Sequence, residues 1–246
     1  MHLKSVALFP ERYPVTDRYP FNLPNLNATR ALPFTTAVTF FVGENGTGKS
    51  TLLRAIAEKC GIHIWEPPEG RRFQFNPYEH ALYRCISVEW ADQVVPGSFF
   101  SSGIFHYFTE VLDEWADASP QFLDYFGGKS LMAQSHGQCH MSYFSSRYRL
   151  KGLYFLDEPE TALSPKTQIE FLALLKEISQ LGRAQFIIAT HSPLLLAFPD
   201  SVIYSFDQTP VTPIEYEKTS HYQIFKTFLN NREAYLLEKG RDNPSL

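Results

Sequence analysis

Ala37-Val38-Thr39-Phe40-Phe41-Val42, followed by Gly43-Glu44-Asn45-Gly46-Thr47-Gly48-Lys49-Ser50 and then Thr51-Leu52-Leu53-Arg54-Ala55-Ile56-Ala57, is the stretch on which the fold turns. Its first six residues are β-branched and aromatic on both alternating faces, the pattern of a strand buried in a parallel sheet. Glycines then break the run. Residues 49–60 carry Leu52, Leu53, Ile56 and Ala57 at helical spacing, and Gly61 stops the helix. The eight residues between strand and helix fit the pattern G-x-x-x-x-G-K-[ST]. Glycines at those places let backbone N–H groups turn inward around phosphate oxygens, and the helix start adds partial positive charge. Lys49 is expected to reach the β- and γ-phosphates, and the Ser50 hydroxyl to face Mg²⁺. With average residue usage the bare pattern arises by chance in a chain this long roughly once in a hundred. The binding candidates are therefore Gly43, Glu44, Asn45, Gly46, Thr47, Gly48, Lys49, Ser50 and Thr51, and the expected ligand is a nucleoside triphosphate.

Further along, Leu153-Tyr154-Phe155-Leu156 reads as a second buried strand that delivers Asp157 and Glu158 at its carboxyl end. Ligands of open α/β sheets gather at the carboxyl ends of the strands, so this acidic pair and the glycine-rich loop are expected to share one site. Asp157 is the candidate for the magnesium shell, mostly through water. Glu158 is the candidate for polarising the water that attacks the γ-phosphate. A third strand, 186–189, leads into Thr190-His191-Ser192-Pro193. His191 there could donate a hydrogen bond to the γ-phosphate or the attacking water. A helix-capping turn with an incidental histidine would carry the same letters.

A fourth strand is expected at 202–206. Helices are expected at 104–115, from near Ser135, from the Ser164-Pro165 cap to Gly182, and over 221–239. This alternation predicts an α/β fold, a mostly parallel sheet with flanking helices. Residues 62–150 read as an inserted, mainly helical subdomain within one domain spanning 1–246.

Composition narrows the function. With 22 basic and 26 acidic side chains the net charge is −4, which disfavours a protein whose main task is gripping duplex DNA. Direct nucleic-acid binding rests on the short basic clusters Arg71-Arg72 and Arg147, Arg149, Lys151, for which solvated loops are the simpler explanation. No apolar run approaches the length of a membrane span, and Met1–Pro10 lacks the apolar core and cleavage site of a signal peptide. Cys60, Cys85 and Cys139, odd in number and without a Cys-x-x-Cys pair, suit a reducing cytoplasm. Cys139-His140 reads as a buried thiol and its neighbour rather than a metal site.

Taken together, these residues resemble the ATP-binding-cassette (ABC) class of P-loop ATPases. On that resemblance Gly43–Ser50 is similar to the Walker A loop, Asp157 and Glu158 to the Walker B pair, and His191 to the switch histidine. The class signature L-S-G-G-Q is similar to Gln134-Ser135-His136-Gly137-Gln138, whose last residue lies 19 positions before Asp157. Gln134 and His136 depart from it, while Ser135 and Gly137 are the implied contacts to a nucleotide held by a second protomer. Asp157-Glu158-Pro159-Glu160-Thr161-Ala162-Leu163-Ser164-Pro165 resembles the RecF-like and chromosome-maintenance-like heads, and the small bacterial "AAA family" ATPases, more than transporter cassettes. Thr161–Ser164 is then similar to the D-loop at a dimer interface, and the chain has no room for a coiled-coil arm. Gln74 and Gln93 compete for the Q-loop position, and Tyr19 and Phe21 for the aromatic that stacks on adenine. The resemblance implies ATP and Mg²⁺ as cofactors, catalysis by Glu158, His191 and Lys49, and an ATP-dependent homodimer. It also implies a protein partner in DNA processing or defence; the alternative is the ATP-binding subunit of a membrane transporter.

Overall fold

Valine and phenylalanine ahead of the glycine-rich loop do form a strand, every residue of it buried. The computed structural model describes residues 1–66, 76–119 and 136–237. In chain order its elements are β1 (Leu3–Leu8), α1 (Pro24–Ala28), β2 (Ala31–Pro33), β3 (Val38–Val42), α2 (Lys49–Lys59), β4 (Ile86–Trp90), β5 (Gly97–Ser101) and α3 (Ser102–Ala118). There follow α4 (His136–Arg147), β6 (Gly152–Asp157), α5 (Pro165–Gln180), β7 (Ala184–Ala189), α6 (Pro193–Leu196), β8 (Val202–Ser205), β9 (Thr212–Pro213), α7 (Ser220–Asn230) and α8 (Arg232–Leu237).

Six strands make the central sheet, in the order β5-β6-β7-β3-β8-β9. All neighbours run parallel except β8 and β9. The register sets Asp157 opposite Ala189 and Ala189 opposite Phe41. The ends of β6, β7 and β3 therefore finish level, which brings Asp157, Thr190 and Gly43 to one edge. The mostly parallel α/β arrangement is the one the sequence predicts.

The sheet has a core on each face because side chains alternate along its strands. On one face Phe41, Leu153, Phe155, Ile187 and Ala189 pack with Leu52, Leu53 and Ile56 of α2. On the other, Phe40, Tyr154, Leu156, Phe186 and Ile188 meet Phe171, Leu175 and Ile178 of α5 and Phe144 of α4. Each such large side chain, removed from water, contributes about 1.5–3 kcal/mol.

A second sheet, antiparallel and ordered β2-β1-β4, covers the α2 face through Leu3, Val6, Leu8, Leu32 and Ile86. Gln185, a polar residue fully buried in β7, joins the two sheets. Its Oε1 accepts from the N–H groups of His2 (2.7 Å) and Leu3 (2.8 Å), and its Nε2 donates to the Leu3 carbonyl (2.9 Å). A buried amide with both ends satisfied is tolerated; an unsatisfied one is not.

Two differences from the sequence expectation stand out. Within 62–150, β4 and β5 are strands, and β5 belongs to the central sheet beside β6. Gly97 opens β5 because a Cβ there would lie 2.0 Å from the Leu153 carbonyl oxygen. The helix expected over 221–239 is two helices, interrupted at Asn231, which has φ −148° and ψ 63°. α7 leaves Ile224, Phe225, Phe228 and Leu229 exposed.

Candidate functional site

The glycine-rich loop is braced from behind by two residues the sequence reading does not single out. Asn25, buried in α1, donates through Nδ2 to the Thr47 carbonyl (2.6 Å) and the Phe206 carbonyl (3.0 Å). Asp207, just past β8, accepts from the Glu44 N–H through Oδ1 (2.7 Å). Gly43 has φ +151°, and a Cβ on it would lie 2.9 Å from that Asp207 oxygen, so only glycine fits. Glu44, Asn45 and Gly46 at the crest are exposed.

Lys49 begins α2 and is 4% exposed. Its Nζ donates to the carbonyls of Gly43 (2.7 Å) and Glu44 (2.9 Å), so the ammonium lies under the loop. Burial lowers its proton affinity, and the carboxylates of Glu158, Asp207, Asp157 and Glu44 partly restore it. The α2 amino end is capped by Gly48, which supplies no side-chain acceptor, and its first turn has no acidic residue. Among the described residues no side chain caps these first N–H groups, a favourable place for an anion.

Ser50 and Asp157 meet directly: Ser50 Oγ donates to Asp157 Oδ1 at 2.7 Å. Burial pushes the Asp157 carboxyl up to about 6, against the lowering effect of that hydrogen bond. A hydroxyl beside a buried carboxylate suits a hard cation such as Mg²⁺, which takes few protein ligands and keeps waters or phosphate oxygens for the rest. No group of three or more His, Cys, Asp or Glu side chains that could cage a metal occurs among the described residues.

Glu158 follows in the left-handed conformation (φ 48°) at the start of the Pro159–Ala162 turn. His191 lies beside it, Nε2 3.5 Å from Glu158 Oε1. The His191 N–H donates to Glu160 Oε1 (2.7 Å). Ser192 caps α6 and donates through its hydroxyl to Gln168 Oε1 (2.6 Å), whose amide in turn donates to the Leu163 carbonyl (2.9 Å). His191 thus stands in a capping turn and also faces Glu158. Burial lowers its proton affinity, and the nearby Lys49 charge adds to the effect. The partner of its Nδ1 is His221, at 3.1 Å.

Lys49, Ser50, Asp157, Glu158 and His191 are therefore brought together. Gly137, near the start of α4, lies against the turn that follows Glu158 rather than in this group: a Cβ on it would lie 3.7 Å from the Ala162 carbonyl oxygen. Ser135, Gln134, Gln74, Arg71 and Arg72 lie outside the described residues. Phe21 is core, whereas Tyr19 is exposed and hydrogen-bonded to the Thr51 hydroxyl. Gln93 follows β4, but the residue beside Asp157 at the end of β5 is Ser101. Arg147 donates to the Gly97 carbonyl and Arg149 pairs with Glu177, so two members of that basic cluster have partners within the fold. Cys139 and His140 are buried, the thiol pushed up to about 11 by its surroundings. Asn25, Asp207, Glu160, Gln168 and His221 carry no sequence signal of their own; only proximity in the fold reveals them.

Residues 134–197, from the segment ahead of α4 through α6, match the family described as "AAA domain, putative AbiEii toxin, Type IV TA system". No curated protein sequence is significantly similar to the chain. Among solved structures, an SMC head bound to the C-winged helix domain of ScpA is similar at TM-score 0.53. It is 14% identical, over 89% of this chain and 99% of that one. An ABC transporter in an inward-facing conformation is similar at TM-score 0.50 and 18% identity, over 91% of this chain and 88% of that one. No described helix is long and apolar enough to cross a membrane. The sheet order, the two flanking cores and these likenesses together make this the fold of an ABC-class P-loop ATPase.

Proposed function

We propose that the protein binds Mg²⁺–ATP and hydrolyses it, as a cytoplasmic ATPase that closes into a dimer around ATP and drives a change in a protein partner. The observation that carries the reading is the convergence of Lys49, Ser50, Asp157, Glu158 and His191 on one edge of three adjacent parallel strands, with Ser50 Oγ 2.7 Å from Asp157 Oδ1.

In this reading the loop N–H groups and Lys49 bind the phosphates, and Thr51, next along α2, completes the cradle. Tyr19, exposed beside Thr51, offers a ring on which adenine can stack. Ser50 and Asp157 are the residues that would hold Mg²⁺, which when bound neutralises charge on the phosphate oxygens. Glu158 accepts the proton of the attacking water. His191 donates toward the γ-phosphate, its backbone fixed by Glu160. Little covalent work falls to the protein, because phosphoryl transfer depends mainly on positioning and charge compensation.

Ser135 and Gly137 would act across a dimer, presenting the α4 start to the partner's nucleotide. Gly137 abuts the turn after Glu158, which supports linked movement of the signature and catalytic segments. The same fold serves transporters and chromosome-type heads, so the fold does not choose the partner.

Phosphate release from Mg²⁺–ATP, abolished by EDTA, is the expected result for the purified chain; no turnover with any candidate partner present would overturn the assignment. Glu158→Gln with ATP should elute from a sizing column at twice the monomer mass. A variant that binds ATP and stays monomeric would refute the dimer.

A further inference from the structure

We infer that His221 is a positioning residue for His191, holding that ring with its N–H on Nε2, directed toward Glu158 and the reacting phosphate; this rests on the ATPase reading above. His221 is the second residue of α7, at the far side of the site from Glu158. Two clamps fix its place independently of His191. Thr219, buried, caps α7 by accepting from the Tyr222 N–H (3.3 Å). The Tyr216 hydroxyl donates to the Pro193 carbonyl (2.9 Å), tying the turn before α7 to the start of α6.

A neutral imidazole has one N–H, and what its other nitrogen bonds decides where that hydrogen sits. His191 Nδ1 is 3.1 Å from His221 Nε2, the rings tilted by 48°. His191 Nε2 makes no hydrogen bond among the described residues and stands 3.5 Å from Glu158 Oε1. With hydrogen on Nδ1, the bare Nε2 lone pair would face a carboxylate and, in the working enzyme, phosphate oxygens. Acceptor would oppose acceptor. With His221 Nε2–H donating to Nδ1, the His191 hydrogen is forced to Nε2, where those acceptors lie. Burial of both rings favours their neutral forms, so hydrogen placement rather than charge is what the pair controls.

Behind His221 the contacts continue. Its Nδ1, the acceptor in this tautomer, is 3.3 Å from Ser220 Oγ, whose single hydrogen then goes to His221 rather than to Asp207 Oδ2, 3.5 Å away. Charged groups around the pair are Lys49, Glu158, Glu44 and Asp207.

His221→Gln keeps a side-chain N–H donor, and His221→Ala removes it. The alanine variant should lower kcat about tenfold with nucleotide affinity unchanged, because orientation alone is lost. The glutamine variant should recover most of that loss. Nitrogen-15 NMR of histidine-labelled protein should show His191 as the Nε2–H tautomer in the parent and in His221→Gln, and as a mixture in His221→Ala. Equal loss in both variants, or an unchanged His191 tautomer in His221→Ala, would overturn the inference. The NMR readout needs no turnover, so a parent protein with no ATPase activity would refute the ATPase reading while leaving the histidine pairing to be judged separately.

Discussion

Two halves of the site lie side by side on one sheet edge and are built differently. The Lys49, Ser50 and Asp157 half is tight: its hydrogen bonds run from 2.7 to 2.9 Å, and Lys49 is almost wholly buried. The Glu158 and His191 half is looser, with contacts of 3.1 and 3.5 Å, and side chains 39% and 26% exposed. Binding groups that meet a ligand of fixed shape gain from being preorganised. On the proposed reading Glu158 is a base and His191 a switch residue, which must accommodate water and release product, and slack serves them. The difference implies that binding and chemistry can be separated by mutation.

The largest expected effect tests that separation. Glu158→Gln should lower kcat by about 10²–10⁴-fold, the range of a lost general base, while leaving the nucleotide Kd within a few-fold of the parent. Lys49→Met should do the reverse, weakening nucleotide binding enough that turnover falls by about 10²–10³-fold and extra ATP restores part of it. Calorimetry alongside phosphate release distinguishes the two. If Glu158→Gln weakens binding as much as Lys49→Met, the halves are a single unit.

A smaller effect comes from the strain of the tight half. Asp157 is pushed up to about 6 from an ordinary 3.8 by burial. The folded chain therefore holds this proton more strongly than the unfolded chain. The associated stability is fully present below pH 3.8 and is lost as pH rises through about 6. At neutral pH the bare carboxylate costs stability. Asp157→Asn should then be more stable than the parent at pH 7.5 by about 1–3 kcal/mol in urea titrations without nucleotide. The gain should shrink toward pH 5, and Mg²⁺–ATP should stabilise the parent more than the variant. Equal stability at all pH values would mean that the buried acid is satisfied some other way.

How much of this was legible beforehand follows from what kind of constraint each residue obeys. Gly43–Ser50 must satisfy a loop shape within eight consecutive residues, so the pattern is local and readable. Asp157, Glu158 and His191 sit at the ends of apolar strands, again a local signal. Asn25, Asp207, Glu160, Gln168 and His221 act across gaps in the chain that no spacing rule spans, and each is an ordinary polar residue in its own neighbourhood. Among strands, β3 and β7 are buried throughout and β6 up to Asp157, and they read plainly. β4 is half-exposed, Ile86-Ser87-Val88-Glu89-Trp90, and its alternation was an available signal. β5 opens with glycine after Pro96, chemistry that argues locally for a turn; the close approach to Leu153 overrides it.

The braces give the smallest and most discriminating test. Asn25 ties the glycine-rich loop to Phe206 through its side-chain N–H groups, and Gln168 links the α5 start to the Ser192 cap beside His191. Asn25→Ala removes both bonds to the Thr47 and Phe206 carbonyls and Gln168→Leu both of its side-chain bonds; if one net bond's worth, about 0.5–1.5 kcal/mol, reaches the site, shifts of about two- to tenfold are expected. Asn25→Ala should appear as a higher nucleotide Kd with kcat preserved at saturation, because the cradle loses its backing while Glu158 and His191 stay in place. Gln168→Leu, close in volume, should appear as a lower kcat with Kd preserved, because the turn carrying His191 loosens while the cradle does not. Steady-state titration of ATP against each variant reads both parameters at once. Should both substitutions move the same parameter, the two halves share their bracing, and the slack around His191 is then a property of the whole sheet edge rather than of one turn.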